Sequence, residues 1–192
     1  MSDIFEELTE AHRAMIARQS VFFVATAAEG ARINLSPKGY DVFRILSPKR
    51  VAYLDLAGSG NETNAHLLAD GRITLMFCHF QQPAQVLRIY GRGTPVVPWD
   101  KQWEELAPHF TMLPGTRQIF DISVEGVLTS CGYGVPLMTL ERERPTLLKS
   151  HAKADPHVWA GKARSHRQSI DGLPIKTTDR YIAGDPGTVP AD

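Results

Sequence analysis

Seven short apolar runs follow one another along this chain with few helices between them, and that order limits the fold more than any single motif. They are SVFFVATA from Ser20, ARINLS, DVFRIL, VAYLDLAG, RITLMFCHF, QVLRIYGRGTPVV and RQIFDISVEGVLTSC. Each is rich in Val, Ile and Phe, and turn sequences such as AEG, SPKR and QQPA separate them. Strands joined by short turns pair antiparallel, whereas a doubly wound parallel sheet needs a helix after nearly every strand. About six antiparallel strands that must remove their edges are expected to curl into a barrel.

Helices are expected at the periphery. Ile4, Phe5, Leu8, Ala11 and Met15 recur at helical spacing, so a first helix is predicted over Asp3–Arg18, with Asp3 and Glu6 as its cap. ETNAHLLADG predicts a short helix over 62–69 with a glycine stop. WDKQWEELAPHF predicts another, and Thr146–Arg167 a further helix or pair broken near 154–156. From residue 175 the chain is rich in Gly, Pro, Asp and Thr without apolar periodicity. The reading is one domain over 1–174 and a flexible tail over 175–192.

Composition narrows the function classes. Lys plus Arg and Asp plus Glu are both 21, a formal net charge of zero, which gives no overall field to draw in nucleic acid. No apolar run approaches the roughly 18 residues that span a bilayer, so no membrane partner is expected. The acidic, amphipathic start is unlike a signal peptide. Two cysteines make no disulfide framework, and a cytoplasmic location is expected. The seven histidines show no HExxH and the cysteines no CxxC, so no metal site is predicted. Seven Lys/Arg against three Asp/Glu between Glu141 and Arg167 read as a solvated helical face.

Four segments carry candidate chemistry. Alternation along ARINLSPKG sets Ile33 and Leu35 on one face, expected to feed the core, and Arg32, Asn34 and Ser36 on the other, with Pro37 ending the pairing and Lys38 just beyond. That polar row suits an anionic ligand, or else an ordinary solvent face. GSGNET, residues 58–63, lies where a strand becomes a loop and then a helix. Unpaired N–H groups there, with Ser59, Asn61 and Thr63, can bind phosphate, or Ser59 or Asn61 can simply cap the helix. Neither a P-loop nor GxGxxG is present. Val86, Arg88, Tyr90 and Arg92 share a strand face, and two arginines there call for an anion, solvent, or partners such as Asp55 and Asp121. In SCGYGVP, glycines flanking Tyr133 allow close approach to a flat ring, or a bend with a core tyrosine.

Together these segments resemble the pyridoxamine 5′-phosphate oxidase-like family of flavin-binding split barrels. RINLSPKG resembles its arginine-to-lysine strand, and LDLAGSGNETNAHL its next strand and phosphate loop. GRITLMFCHF, QVLRIYGRG and LTSCGYGVP follow in the family's order, and SIDGLP resembles the C-terminal motif of an uncharacterised subgroup. The resemblance covers roughly Asp3 to Pro174. It implies a mainly β, six-stranded antiparallel split β-barrel with peripheral helices, a homodimer, FMN in clefts between subunits, and an oxidoreductase acting on a small molecule. Arg32, Asn34, Ser36 and Lys38 would line the flavin ring and ribityl chain or reach the phosphate. Ser59, Gly60, Asn61, Glu62 and Thr63 would surround the ribityl-phosphate. Arg88 and Gln85 would come from the strand facing the cofactor, of either subunit, and Tyr133 from the partner. The loop carries no Lys or Arg, so the phosphate charge falls to Arg32, Lys38 and Arg88. A flavin-, haem- or deazaflavin-binding barrel without turnover is the alternative, and no catalytic residue is singled out.

Overall fold

The computed structural model describes residues 2–155 and 167–176. All seven apolar runs are strands, and an eighth precedes them. In chain order the elements are β1 (Asp3–Phe5), α1 (Glu10–Ile16), β2 (Phe22–Thr26), β3 (Asn34–Lys38), β4 (Phe43–Ser47), β5 (Arg50–Leu56), α2 (Glu62–Ala69), β6 (Arg72–Cys78), β7 (Gln85–Val96), α3 (Trp103–Leu106), β8 (Thr116–Cys131) and α4 (Thr146–Ala152). The expected strand count of six is therefore short by two. The second half of the helical region predicted up to Arg167 and the tail over 177–192 lie outside the described residues. Ile175 and Lys176 belong to the described fold.

The sheet is antiparallel throughout, in the order β3-β2-β6-β7-β8-β5-β4. The long strand β8 is its spine. One edge pairs with β7 from Gln85↔Cys131 to Val96↔Ile119. Its other edge pairs first with β5 and then with β1. The end strands β3 and β4 are consecutive in sequence but share no ladder. Leu54 N donates to Val42 O at 2.9 Å and so extends the β4–β5 pairing by one position, while Lys38 Nζ on β3 reaches Asp55 on β5 at 3.1 Å. The barrel is thus split, and its seam is crossed by a side-chain ion pair where a ladder would otherwise run. Inside, Phe22, Phe43, Tyr53, Phe77 and Phe120 form one aromatic cluster with centroid separations of 4.9–5.6 Å, a spacing favourable for edge and offset contacts.

Helix α1 is shorter than the apolar spacing predicts, because its first turn is claimed twice. Asp3–Phe5 pairs with Val127–Thr129 and is extended. The cap is Thr9, not Asp3 and Glu6: Thr9 Oγ1 accepts from His12 N at 3.3 Å, and Thr9 N donates to His12 Nδ1 at 3.1 Å. A histidine thus takes the place usually held by Glu or Gln in a capping box. Burial pushes the His12 imidazole below its ordinary pKa. Protonated at Nδ1, it could no longer accept from Thr9. Thr9→Ala is expected to cost about 1 kcal/mol, a melting temperature lower by about 2–4 °C. The sign of the pH effect follows from the lowered value. Unfolded His12 takes up a proton near pH 6.5 and folded His12 only lower. Its contribution is complete above about pH 6.5 and declines as pH falls through the folded value. A melting series from pH 7.5 to 5, with His12→Ala as the variant lacking this slope, checks it.

The WDKQWEELAPHF region also departs from expectation, giving only α3 and a 3-10 turn at Ala107–His109. Pro108 and the sequence Leu113-Pro114-Gly115 stop it. Among the described residues no helix is long and apolar enough to cross a membrane.

Candidate functional site

The site grows from the edge strand β3. Asn34, Ser36 and Lys38 stand opposite Thr26, Val24 and Phe22 of β2, which are buried. Cross-strand partners share a face, so these three polar side chains turn toward the barrel interior. The opposite face carries Leu35 and Pro37, and Ile33 precedes it. Ile33 and Leu35 are 77% and 65% exposed, so they do not feed the core as the alternation suggested. Arg32 precedes the strand, and Pro37 lies within it, opposite Phe23. A proline is tolerated there because an edge strand pairs on one side only.

Asn34 Nδ2 donates to Thr26 Oγ1 at 3.2 Å and to Thr63 Oγ1 at 3.1 Å, tying β2, β3 and the first turn of α2 together. His66, one turn further along α2 and buried, meets the same Thr26 hydroxyl through Nδ1 at 3.1 Å. At the other end of β3, Lys38 Nζ lies 3.1 Å from Asp55 Oδ1, while Arg117 Nε donates to Asp55 Oδ2 at 2.6 Å. Gln118 Nε2 adds 2.8 Å to that oxygen and 2.7 Å to Asn61 Oδ1, and Gln118 Oε1 accepts from Asn64 Nδ2 at 2.6 Å.

This network has an electrostatic consequence. Asp55, 2% exposed, is one carboxylate facing two cations. Burial would raise its pKa, but the charges of Arg117 and Lys38 and the hydrogen bonds from Arg117 and Gln118 hold it at about 2. Two cations facing one carboxylate give the triad a formal charge of plus one. Arg117 is the candidate that sequence reading misses: it brings a second cation to Asp55, whose partner Gln118 also holds Asn61 of the 58–63 loop.

The loop itself is exposed at Gly58 and Ser59 and turns inward at Asn61. Asn61 occupies the N-cap position of α2 without a capping hydrogen bond; its side chain is engaged by Gln118 instead. The first-turn N–H groups of α2 therefore lack a side-chain cap from Asn61. Neither Gly58 nor Gly60 has a positive φ, and a Cβ on either meets nothing closer than Glu62 Oε1 at 3.6 Å, from Gly60. The fold does not require glycine at either position.

Other predicted residues fall elsewhere. Glu62 accepts from Ile170 N at 3.1 and 3.2 Å, and Arg32 is held by Asp171. Arg88 lies with Met76 and Phe23 on the outward face of the sheet, opposite to the inward row of β3, and donates to Ser130 Oγ at 3.3 Å. Arg92 engages Glu125, and neither arginine pairs with Asp55 or Asp121. Gln85, three residues from Arg88, has the inward parity of Leu87 and Ile89. Tyr133 is 86% exposed just past β8.

Comparison with known proteins follows the same segments. The profile of the family described as pyridoxamine 5′-phosphate oxidase matches residues 8–131, which includes β2 to β8 and the whole Lys38–Asp55–Arg117 network. The pyridoxamine 5′-phosphate oxidase family protein ustO of Aspergillus flavus is 38% identical over 146 residues, 73% of this chain. This chain spans 58% of the length of that relative. Among solved structures, a HupZ variant from Group A Streptococcus superposes with a TM-score of 0.53 at 17% identity, covering 64% of this chain and 98% of that one. A protein of Lactobacillus delbrueckii described as a candidate pyridoxamine 5′-phosphate oxidase gives 0.52 at 15% identity, covering 64% and 94%. At these identities the two superpositions speak for the fold.

Proposed function

This chain belongs to the pyridoxamine 5′-phosphate oxidase family, and on that premise we propose that it binds FMN and acts as a flavin-dependent oxidoreductase on a small molecule. The observation that carries the reading is the convergence of Lys38 and Arg117 on the single carboxylate of Asp55, beside the start of α2. One net positive charge, first-turn N–H groups and an inward row of amide and hydroxyl groups form a donor set that fits a phosphate on a polar chain. Lys38, Arg117, Ser59, Gly60, Asn61 and Thr63 would hold the phosphate end, with Glu62 at its border. Arg32, Asn34 and Ser36 would hold the ribityl chain and ring. FMN, when bound, supplies the two-electron chemistry. The chain's own residues bind and orient it, and the aromatic core behind Lys38 keeps water from that side.

The outward face supports a homodimer. Ile33, Leu35 and Tyr90 (40% exposed) join half-buried Phe23, Met76 and Leu128 there. A groove of about 320 Å³ runs beside Ala25, Ile33, Thr74 and Tyr90. In that assembly Arg88, Gln85 and Tyr133 of a second copy would complete the site, since in one chain they lie apart from Lys38.

The test is an absorbance spectrum of the purified protein and a titration with FMN. Flavin at 100 times its dissociation constant is expected to stabilise the fold by about 2.7 kcal/mol. Lys38→Ala is expected to weaken binding about tenfold or more, the loss of one charge-assisted contact. Gly60→Ala is expected to leave stability within about 0.5 kcal/mol while weakening FMN, because only a ligand's close approach asks for glycine there. Protein that is colourless and unresponsive to FMN overturns the flavin reading. Bound flavin that neither accepts electrons from a nicotinamide donor nor reoxidises replaces turnover with cofactor binding alone.

A further inference from the structure

Residues 167–176 form a hairpin that the proposed chemistry leaves unused. Gln168 and Pro174 make an isolated antiparallel bridge, Ser169 N donates to Leu173 O at 2.8 Å, and Ile175 N donates to Arg167 O at 3.2 Å. Buried Ser169 accepts through Oγ from Asp171 N at 3.3 Å and Leu173 N at 3.1 Å. Gly172, at φ +81°, closes the turn.

Its two ends are held differently. At the stem, Lys176 N donates to Asn64 Oδ1 at 2.7 Å and Asn64 Nδ2 donates back to Lys176 O at 3.2 Å, while Lys176 Nζ reaches Asp100 at 2.5 Å. Asn64 is fully buried. At the tip, Ile170 N donates to the Glu62 carboxylate, and Asp171 accepts from Arg32 N at 2.8 Å and from the Arg32 guanidinium. The Arg32 side chain is 73% exposed. Buried amide pairs hold firmly, whereas exposed ion pairs hold weakly.

The tip also has a definite place. Arg32 stands two residues before Asn34, Glu62 stands one before Thr63, and Asn34 and Thr63 bond directly. Ile170 and Asp171 therefore bridge the β3 and α2 banks of the proposed cofactor cleft at its Arg32 end.

We propose that Asp171 is an internal stand-in for the acceptor atoms of a ligand at Arg32, and that an incoming acceptor, the electron-rich carbonyl edge of a flavin ring or a free anion, displaces the tip while the stem stays docked. This rests on the reading that an anionic cofactor enters this cleft. The Arg32 guanidinium and backbone N–H are both occupied by one carboxylate, the arrangement an external anion would need. A ligand must therefore compete with Asp171 for Arg32.

The sign of one substitution tests this. In the full chain, Asp171→Asn is expected to bind FMN and inorganic pyrophosphate about two- to fivefold more tightly than wild type, the weight of one exposed ion pair. Saturating wild type with either probe should speed hydrogen exchange at the Ile170 amide and leave the Lys176 amide unchanged. Unchanged or weaker binding by Asp171→Asn, or slower exchange at Ile170, overturns the proposal by making the tip a wall of the site. If pyrophosphate behaves as expected and FMN does not bind, the flavin reading fails and the displacement of the hairpin tip stands. If FMN binds and Asp171→Asn does not tighten it, the displacement fails and the flavin reading stands. Binding of neither probe overturns both.

Discussion

Asp55→Asn is expected to lower the unfolding free energy by about 3 kcal/mol at neutral pH, since removing one partner of a buried ion pair leaves an uncompensated charge. Two cations lose their counter-charge at once: Lys38 and Arg117, with side chains 22% and 16% exposed. Their partial exposure lets both heads shift toward water, which places the cost at the low end of the range for buried pairs. The carboxylate also receives Gln118, and Gln118 orients Asn61 and Asn64, so an amide at 55 disturbs the start of α2 as well. Urea unfolding at pH 7 measures the loss, and a deficit below about 1 kcal/mol, the scale of an exposed pair, contradicts the buried triad. The acid limb gives a second reading. Asp55 titrates at about 2 when folded against an ordinary 3.8, a gap worth about 2 kcal/mol. A lowered carboxyl pKa contributes stability that is complete above the unfolded value and lost as pH falls through the folded one. Wild type should lose that part between about pH 4 and pH 2, and the asparagine variant should show no corresponding slope.

The same triad shows what a sequence can and cannot disclose. Lys38 was legible because it closes a short polar row on a recognisable strand. Arg117 was not, because RQIFDISV reads as an apolar alternating strand. Only the pairing Asp55↔Gln118 brings its neighbour Arg117 to the carboxylate. Alternation along β3 separated the two faces correctly but assigned them the wrong way round. An apolar face is placed inward by default, yet here the interior behind β3 holds Thr26, Thr63 and Asp55. Leu35 is left outside with Ile33, on the face assigned to a second copy. The start of α1 shows competition between local signals: Asp3 and Glu6 resemble a cap, but pairing with β8 extends Asp3–Phe5 and leaves Thr9 and His12 to form the box. SIDGLP could be noticed as a motif without its place being known, because its contacts to Arg32 and Glu62 span 139 and 108 positions. No local periodicity encodes such contacts.

Gly91→Ala is expected to be the most damaging single methyl in the sheet, costing more than about 3 kcal/mol as an overpacked core site with backbone displacement. A Cβ at Gly91 would collide with the backbone oxygen of Ser123, with Ile122 Cγ2 at 3.2 Å. The obstacle is main chain, so no rotamer change relieves it. The position is also where the β7–β8 register shifts, between Tyr90 and Gly91. Glycine there lets the two longest strands approach through the irregularity. Parting them would loosen β8, which also carries Arg117 and Gln118, so the Lys38–Asp55–Arg117 network should weaken with the fold. Gly58→Ala provides the contrast: its Cβ meets nothing within 4 Å and its φ is not positive, so stability should stay within about 0.5 kcal/mol. Denaturant midpoints for the two variants, measured together, decide the matter. Gly91→Ala within 1 kcal/mol of wild type, on the order of an average substitution, would mean that β7 and β8 are not in such close contact at the bulge.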